Sequence, residues 1–206
     1  MAPYWSEDWG NPSSRQHRLG LTASAAVNLA RRQIADALAV TPQQLVFTSG
    51  ATEANNLALL GHARARGSGH LISVATEHHA VLDPLQQLQR EGFSVTLLTP
   101  GPDGLITPEQ LKQAITPETQ LVSVMAANNE IGVLQPLMAL AAVCRDHGVT
   151  LHSDAAQAFG HIPLEPDAMG VDLMSLSAHK LYGPKGVGAL VIRDGIALQP
   201  LQWGGG

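Results

Sequence analysis

Seven short apolar runs, separated by stretches of helical periodicity, predict an α/β protein: a three-layer α/β/α sandwich around a mostly parallel sheet of about seven strands. Three observations carry this expectation. The runs and helices alternate along the chain, which in one sheet demands right-handed crossovers and helices on both faces. The 206 residues are 45% hydrophobic and 14% charged, enough to bury one large core, and no linker, internal repeat or low-complexity tract divides them. Polar and chemically active residues follow directly on the ends of the apolar runs, the edge at which open parallel sheets bind ligands.

Taken in order, residues 1–12 lack periodicity and read as a loop. From 22 to 38 apolar residues recur at helical spacing (Ala26, Leu29, Ala30, Ile34, Ala37, Leu38), with Thr22 placed as the N-cap. A strand over 45–48 then runs through Ser49, Gly50, Ala51 and Thr52 into a helix over 53–64. Such a passage turns several backbone N–H groups towards one point and favours an anion such as phosphate, although Thr52 taken alone is equally an N-cap. The strand 71–75 delivers Thr76, Glu77, His78 and His79, and Asp83-Pro84 reads as the N-cap and first position of the next helix, with Leu85 and Leu88 turned inward. A strand over 94–98, a helix over 107–115 and a strand over 121–125 follow, the last ending in the tandem amides Asn128 and Asn129 ahead of a helix over 137–147. The strand 150–153 sets Asp154 at its end. The strand 171–176 leads into Ser177, Ala178, His179 and Lys180, then a turn made of Tyr182, Gly183, Pro184 and Gly186, then a last strand over 189–192.

Composition narrows the function. With 12 basic against 17 acidic residues and a net charge of -5, and no Lys/Arg cluster, the chain shows no nucleic-acid footprint. Its start, MAPYWSEDWG, lacks the basic and apolar regions of a signal peptide, and the longest apolar run, 137–144, is far too short to span a bilayer. One cysteine, Cys144, rules out an internal disulfide and suits a reducing cytosol, so a soluble cytoplasmic protein is expected. Cys144 shares a helical face with Leu137 and with Leu140 or Ala141, the signature of a buried structural thiol.

Lys180 is the residue the rest of the chain is arranged around. Between a buried strand and a glycine-rich turn its stem is expected to pack and its amine to face a crevice, where desolvation disfavours the ammonium form and leaves a nucleophile for an aldehyde. A lysine, an upstream aspartate, a flat-faced histidine and a phosphate cradle are together the parts needed to hold pyridoxal phosphate: Asp154 for the pyridine nitrogen, His78 for a ring face. Each has a plain reading on its own: a surface lysine, a helix N-cap, a hydrogen-bonded loop histidine. A metal-dependent hydrolase built on His78, His79, His152, Asp154 and His179 is a competing reading, but these residues show no consistent ligand spacing.

Six motifs, GNPSSRQHRLG (10–20), FTSGATEANN (47–56), ATEHHAVLDP (75–84), NNEIG (128–132), HSDAAQAFG (152–160) and DLMSLSAHKLYGPKGVGAL (172–190), occur in this order. In them the chain resembles the cysteine desulfurases of the class V aminotransferase group, fold-type I pyridoxal phosphate enzymes. The resemblance implies that Lys180 carries the cofactor as a Schiff base, Asp154 pairs with its pyridine nitrogen, His78 stacks on the ring and Gln157 binds the ring hydroxyl oxygen. It implies that Asn129 orients the ring and the substrate carboxylate, and that Thr52, the Ala51 amide, Ser177 and His179 hold the phosphate. In the family L-cysteine becomes L-alanine, and the sulfur passes to a loop cysteine as a persulfide and on to an acceptor protein for iron-sulfur cluster or other thio-cofactor assembly. Members are homodimers. Judged against the usual two-domain size, the chain is expected to be an incomplete large domain, without the first strand, the small C-terminal domain, the loop cysteine, a carboxylate-binding arginine and a phosphate ligand donated across the dimer. A non-catalytic domain that keeps the fold and binds the cofactor or a partner is a further reading, which the short length favours, while the intact motifs suggest descent from, or a fragment of, a working enzyme. Within the family, selenocysteine lyases and other class V enzymes share the lysine and aspartate, and NNEIG tilts the reading towards a desulfurase.

Overall fold

The structure, a computed structural model, describes residues 3–204. Its elements are α1 (Pro3–Ser6), α2 (Arg18–Ala37), β1 (Leu45–Thr48), α3 (Ala51–Arg66), β2 (His70–Val74), α4 (His79–Arg90), β3 (Ser94–Leu98), α5 (Pro108–Ala114), β4 (Thr119–Ser123), α6 (Leu137–Asp146), β5 (Thr150–Asp154), α7 (Pro166–Met169), β6 (Leu173–Ser177) and β7 (Gly188–Ile192). The strands form one sheet of seven in the order β1-β7-β6-β5-β4-β2-β3. β2, β3, β4, β5 and β6 pair in parallel, while β7 is antiparallel to both β6 and β1. β1 therefore points the same way as β6, and its carboxyl end reaches the same edge of the sheet.

Alternation along the strands builds the layers. Ile72, Val122, Leu151, Met174 and Val191 point to one face and join Leu111 of α5 and Leu137, Leu140 and Cys144 of α6. Leu71, Leu121, Leu173 and Leu190 point to the other and join Ala54, Ala58 and Leu59 of α3 and Val81, Leu85 and Leu88 of α4. The predicted sandwich is thus observed, with helices on both faces. No helix among the described residues is long and apolar enough to cross a membrane.

Several local expectations are corrected. The opening segment holds a short helix, α1, although Met1 and Ala2 lie outside the described residues. α2 starts four residues before Thr22, because His17 is its cap: the ring Nδ1 accepts the Gly20 N–H at 3.2 Å. Gly10 and Gly20 of the first motif permit this entry, since a Cβ at Gly10 would lie 2.3 Å from the Leu19 carbonyl and one at Gly20 1.9 Å from that of Ser14. The predicted inner face of α2 is only partly covered. Ala35 and Leu38 are fully buried but Leu29 is half exposed, and Arg31 fastens the helix by donating to the Leu45 carbonyl and lying 4.8 Å over the Phe47 ring. α4 begins at His79 with His78 as its cap, so Pro84 sits inside the helix and not at its first position. Thr107, read as the first residue of a helix over 107–115, is the cap of α5, through a reciprocal pair of bonds with Gln110.

Candidate active site

The carboxyl ends of β1, β2, β4, β5 and β6 surround one cavity of about 430 Å³, lined by Ala51, Thr52, His78, Asn129, Asp154, Gln157, Ser177, His179 and Lys180. Every residue assigned to the cofactor from the sequence is on its wall, whereas His79, His152 and Cys144 are not. The topology explains the convergence: parallel strands deliver their following loops to one edge, and the antiparallel β7 brings the 183–187 turn back to that edge.

At one end the wall is a cradle for an anion. Gly50 adopts φ 152, open only to glycine, and Gly188 packs so close that a Cβ there would stand 2.6 Å from the Gly50 Cα. This turn aims the first N–H groups of the 16-residue α3 into the cavity. Glu53 takes the Ser49 N–H with its carboxylate at 2.6 Å, leaving those of Ala51 and Thr52 for a ligand. Ser177 faces them from the end of β6, its hydroxyl 2.8 Å from Nδ1 of His179.

The floor is buried, and both oxygens of its Asp154 carboxylate are bonded. Asp154 is 5% exposed; its Oδ1 accepts the Ala156 N–H at 2.9 Å and its Oδ2 the Asn55 side-chain amide at 2.6 Å. Burial raises its pKa above the ordinary carboxylate value, opposed by those two hydrogen bonds and by the charges of His78 and Lys180. No helix follows, so Asp154 caps a turn and not the helix that the plain reading supposes. Two residues back on β5, His152 is fully buried with its ring nitrogens 2.8 Å and 3.0 Å from the hydroxyls of Ser123 and Ser175, and desolvation lowers its pKa to about 3. It is a core residue, not a ligand. His79 points to Asp83 at 3.4 Å on the surface, and among the described residues no three His, Cys, Asp or Glu side chains converge on a metal position.

The rim is exposed. His78 holds its ring by accepting the Ala80 N–H on Nδ1 at 3.0 Å. The two amides of the fourth motif divide their work: Asn128 is buried, donates to the Thr76 carbonyl at 3.0 Å and accepts from Glu130 and Ile131, while Asn129 stays exposed at the cavity. Lys180 lies in a short 3-10 turn, Ala178–Leu181, and is exposed, which corrects the expectation of a packed stem. Its backbone is held instead: Leu181 covers Gly160, where a Cβ would stand 2.3 Å from its Cδ2, and the His161 ring meets the Lys180 carbonyl at 3.3 Å. Lys185 also lines the cavity.

Two buried residues of the site carry no sequence expectation. Asn55 fastens Asp154, and Glu77 is 6% exposed and accepts the Met125 N–H at 2.6 Å. Asn55 did leave a trace, a polar residue on the stripe of α3 that holds Ala58, Leu59 and His62, all buried. Glu77 left none, because its partner is 48 residues away.

A thiol nucleophile is not among these groups. Cys144 is 1% exposed on the inner face of α6, and burial pushes its pKa up to about 12, in keeping with the structural thiol read from its spacing.

Comparison with known proteins agrees with the six motifs. The chain is 49% identical, over its whole length, to the mitochondrial cysteine desulfurase of Eremothecium gossypii, of which the match covers 43%. It is 51% identical over 96% of its length to the cysteine desulfurase IscS of Aeromonas salmonicida, of which half is covered. Among solved structures, SspA in complex with cysteine superposes with a TM-score of 0.96 at 44% identity, covering 99% of this chain and 60% of that one. The chain spans about half the length of the curated relatives it matches. The aminotransferase class-V model matches residues 1–206 from end to end, and the chain belongs to that family.

Proposed function

We propose that the chain is the cofactor-binding large domain of a pyridoxal phosphate-dependent cysteine desulfurase, acting on L-cysteine and serving a sulfur-acceptor protein, as a homodimer in a reducing compartment such as the cytoplasm. The observation that carries this reading is the convergence, on one cavity, of a buried braced carboxylate, a lysine amine and a helix N-terminus with free N–H groups. The residues fit the group at both ends. The α3 cradle suits a phosphate, and a protonated ring nitrogen gives the Asp154 carboxylate, whose charged form burial disfavours, a cationic partner. Bound there, pyridoxal phosphate supplies an electron sink for a carbanion beside the substrate nitrogen.

The chain's own residues then have distinct tasks. Ala51, Thr52, Ser177 and His179 bind the phosphate, Gln157 binds the ring hydroxyl oxygen, and Asp154 holds the proton on the ring nitrogen. His78, fixed by its bond to Ala80, covers a ring face. Asn129 orients the ring and the substrate carboxylate. Lys180 attaches the cofactor and, once released, its Nζ takes and returns the proton at the substrate Cα. Sulfur removal needs a mobile thiolate, and the one cysteine among the 206 residues, Cys144, is locked in the core.

The test is α-proton exchange of L-cysteine and L-alanine in deuterated buffer, alongside sulfide release, with added pyridoxal phosphate. The reading predicts exchange that disappears in Lys180→Ala, and negligible sulfide. Exchange that survives Lys180→Ala, or sulfide release that depends on Cys144 in a Cys144→Ser comparison, contradicts it. Sulfide release that survives Cys144→Ser points to a lyase that needs no protein thiol.

A further inference from the structure

The β2–β4 pairing ends at Ile72 and Val122, and the loops that follow the two strands carry His78 and Asn129 to the rim. Two hydrogen bonds connect those loops among the described residues. The buried Asn128 amide donates to the Thr76 carbonyl at 3.0 Å, and the Met125 N–H donates to Oε1 of Glu77 at 2.6 Å. Glu77 is the immediate neighbour of His78, and Met125 leads into the turn that carries Asn129. The other Glu77 oxygen, Oε2, is buried with no hydrogen-bond partner among the described residues. An ionised carboxylate with a bare buried oxygen, beside the carboxylate of Asp154, is costly, whereas a neutral acid in the same place is tolerable. Burial pushes the Glu77 carboxyl well above the ordinary range, and the charge of Asp154 pushes it further, against the lowering effect of the Met125 bond.

We propose that Glu77, carried as the neutral acid, is a positioning residue: it straps the His78 loop to the Asn129 loop and adds no second negative charge beside Asp154. What His78 and Asn129 do to the ring rests on the function proposed above; the strap and the protonation of Glu77 do not. The distinction between strap and charge is testable because glutamine keeps the acceptor and loses only the ionisable group, while leucine has similar bulk and loses both.

Three measurements on the chain and its Glu77→Gln and Glu77→Leu variants decide the matter: hydrogen exchange at the Met125 amide, affinity for pyridoxal phosphate with the circular dichroism of the bound chromophore, and the carbon-13 shift of the Glu77 carboxyl at neutral pH. The expected results are a protonated carboxyl, a Met125 amide protected in the parent and in Glu77→Gln but open in Glu77→Leu, and cofactor affinity changed by less than about threefold in Gln and weakened about tenfold in Leu, equal to about 1.4 kcal/mol. The dichroism should change in Leu and not in Gln. If Glu77→Leu does not fold, Glu77→Asp, one methylene short of Met125, takes its place. An ionised carboxyl, equal damage from Gln and Leu, or an unchanged Met125 amide in Leu overturns the proposal. Absence of cofactor binding in the parent sinks the proposed function instead, and the strap is then judged on the carboxyl shift and amide exchange alone.

Discussion

The floor and the rim of the cavity are built by opposite means. On the floor Asp154, Asn55 and Glu77 are 5%, 0% and 6% exposed, and each is held by a partner distant in the chain or by a turn at the end of a strand. On the rim the side chains of His78, Asn129 and Lys180 are exposed and carry fewer bonds of their own: the His78 ring caps its own helix, Asn129 follows the buried Asn128, and Leu181, next to Lys180, packs on Gly160. A floor set by sheet packing keeps its geometry with or without a ligand. An exposed rim leaves the Lys180 amine free to move during a reaction, which a lysine that must attach, detach and carry a proton requires.

From this difference it follows that floor groups and the layer beneath them couple to stability and pH, and rim groups do not. The largest effect belongs to His152, buried neutral with a pKa of about 3 against an ordinary 6.5. The unfolded chain takes up that proton below about pH 6.5 and the folded chain does not, so stability is full above that pH and falls as pH drops towards 3. The loss amounts to on the order of 4 kcal/mol, read from urea midpoints at a series of pH values. His152→Gln should flatten that slope; an unchanged slope would place the proton elsewhere. Next comes Asp154→Asn, which keeps an acceptor for Ala156 but removes the charge and the carboxylate partner of the Asn55 amide; α-proton exchange should drop by about a hundredfold or more, and the melting temperature should change with it. An Asn variant with the parent's exchange rate and cofactor spectrum would reduce Asp154 to a turn cap.

How much of this was legible in the sequence follows from the same contrast. The strands and the edge they share could be read because apolar runs ending in polar residues are local features, and the rim residues follow those runs directly. The floor braces could not, because Asn55 and Asp154 are 99 residues apart and Glu77 and Met125 are 48 apart. The start of α4 was misplaced for a local reason. Asp83-Pro84 is a strong N-cap pair, yet the His78 ring had already capped the helix one turn earlier. The face of α2 misled because periodicity reports which residues could pack, and here the helix meets the body mainly at its C-terminal end, through Ala35 and Leu38.

Smaller effects sharpen the comparison from outside the site. Arg64 at the end of α3 grips Glu91 after α4 through two bonds of 2.6 Å and 3.0 Å, which hold the Glu91 pKa down to about 2. That stability is present above the ordinary carboxylate pKa and is lost as pH falls through it towards 2. Because the pair is about one-third exposed, Arg64→Met should cost no more than about 1 kcal/mol at neutral pH and nothing near pH 2. Least of all, Lys180→Ala should leave the unliganded chain within about 0.5 kcal/mol of the parent, as for other exposed side chains. A larger loss would mean that the lysine stem packs after all.

The central claim, that one cavity holds pyridoxal phosphate and that Lys180 attaches it, is tested most directly by mapping the attachment. Both Lys180 and Lys185 reach the cavity, but Lys180 directly follows β6 and His179, whereas Lys185 sits within the turn before β7. The chain is incubated with pyridoxal phosphate, reduced with borohydride and digested, and the peptides are sequenced by mass spectrometry. The account predicts a phosphopyridoxyl group on Lys180, with Lys185 unmodified; a label on Lys185, or on neither lysine, contradicts it.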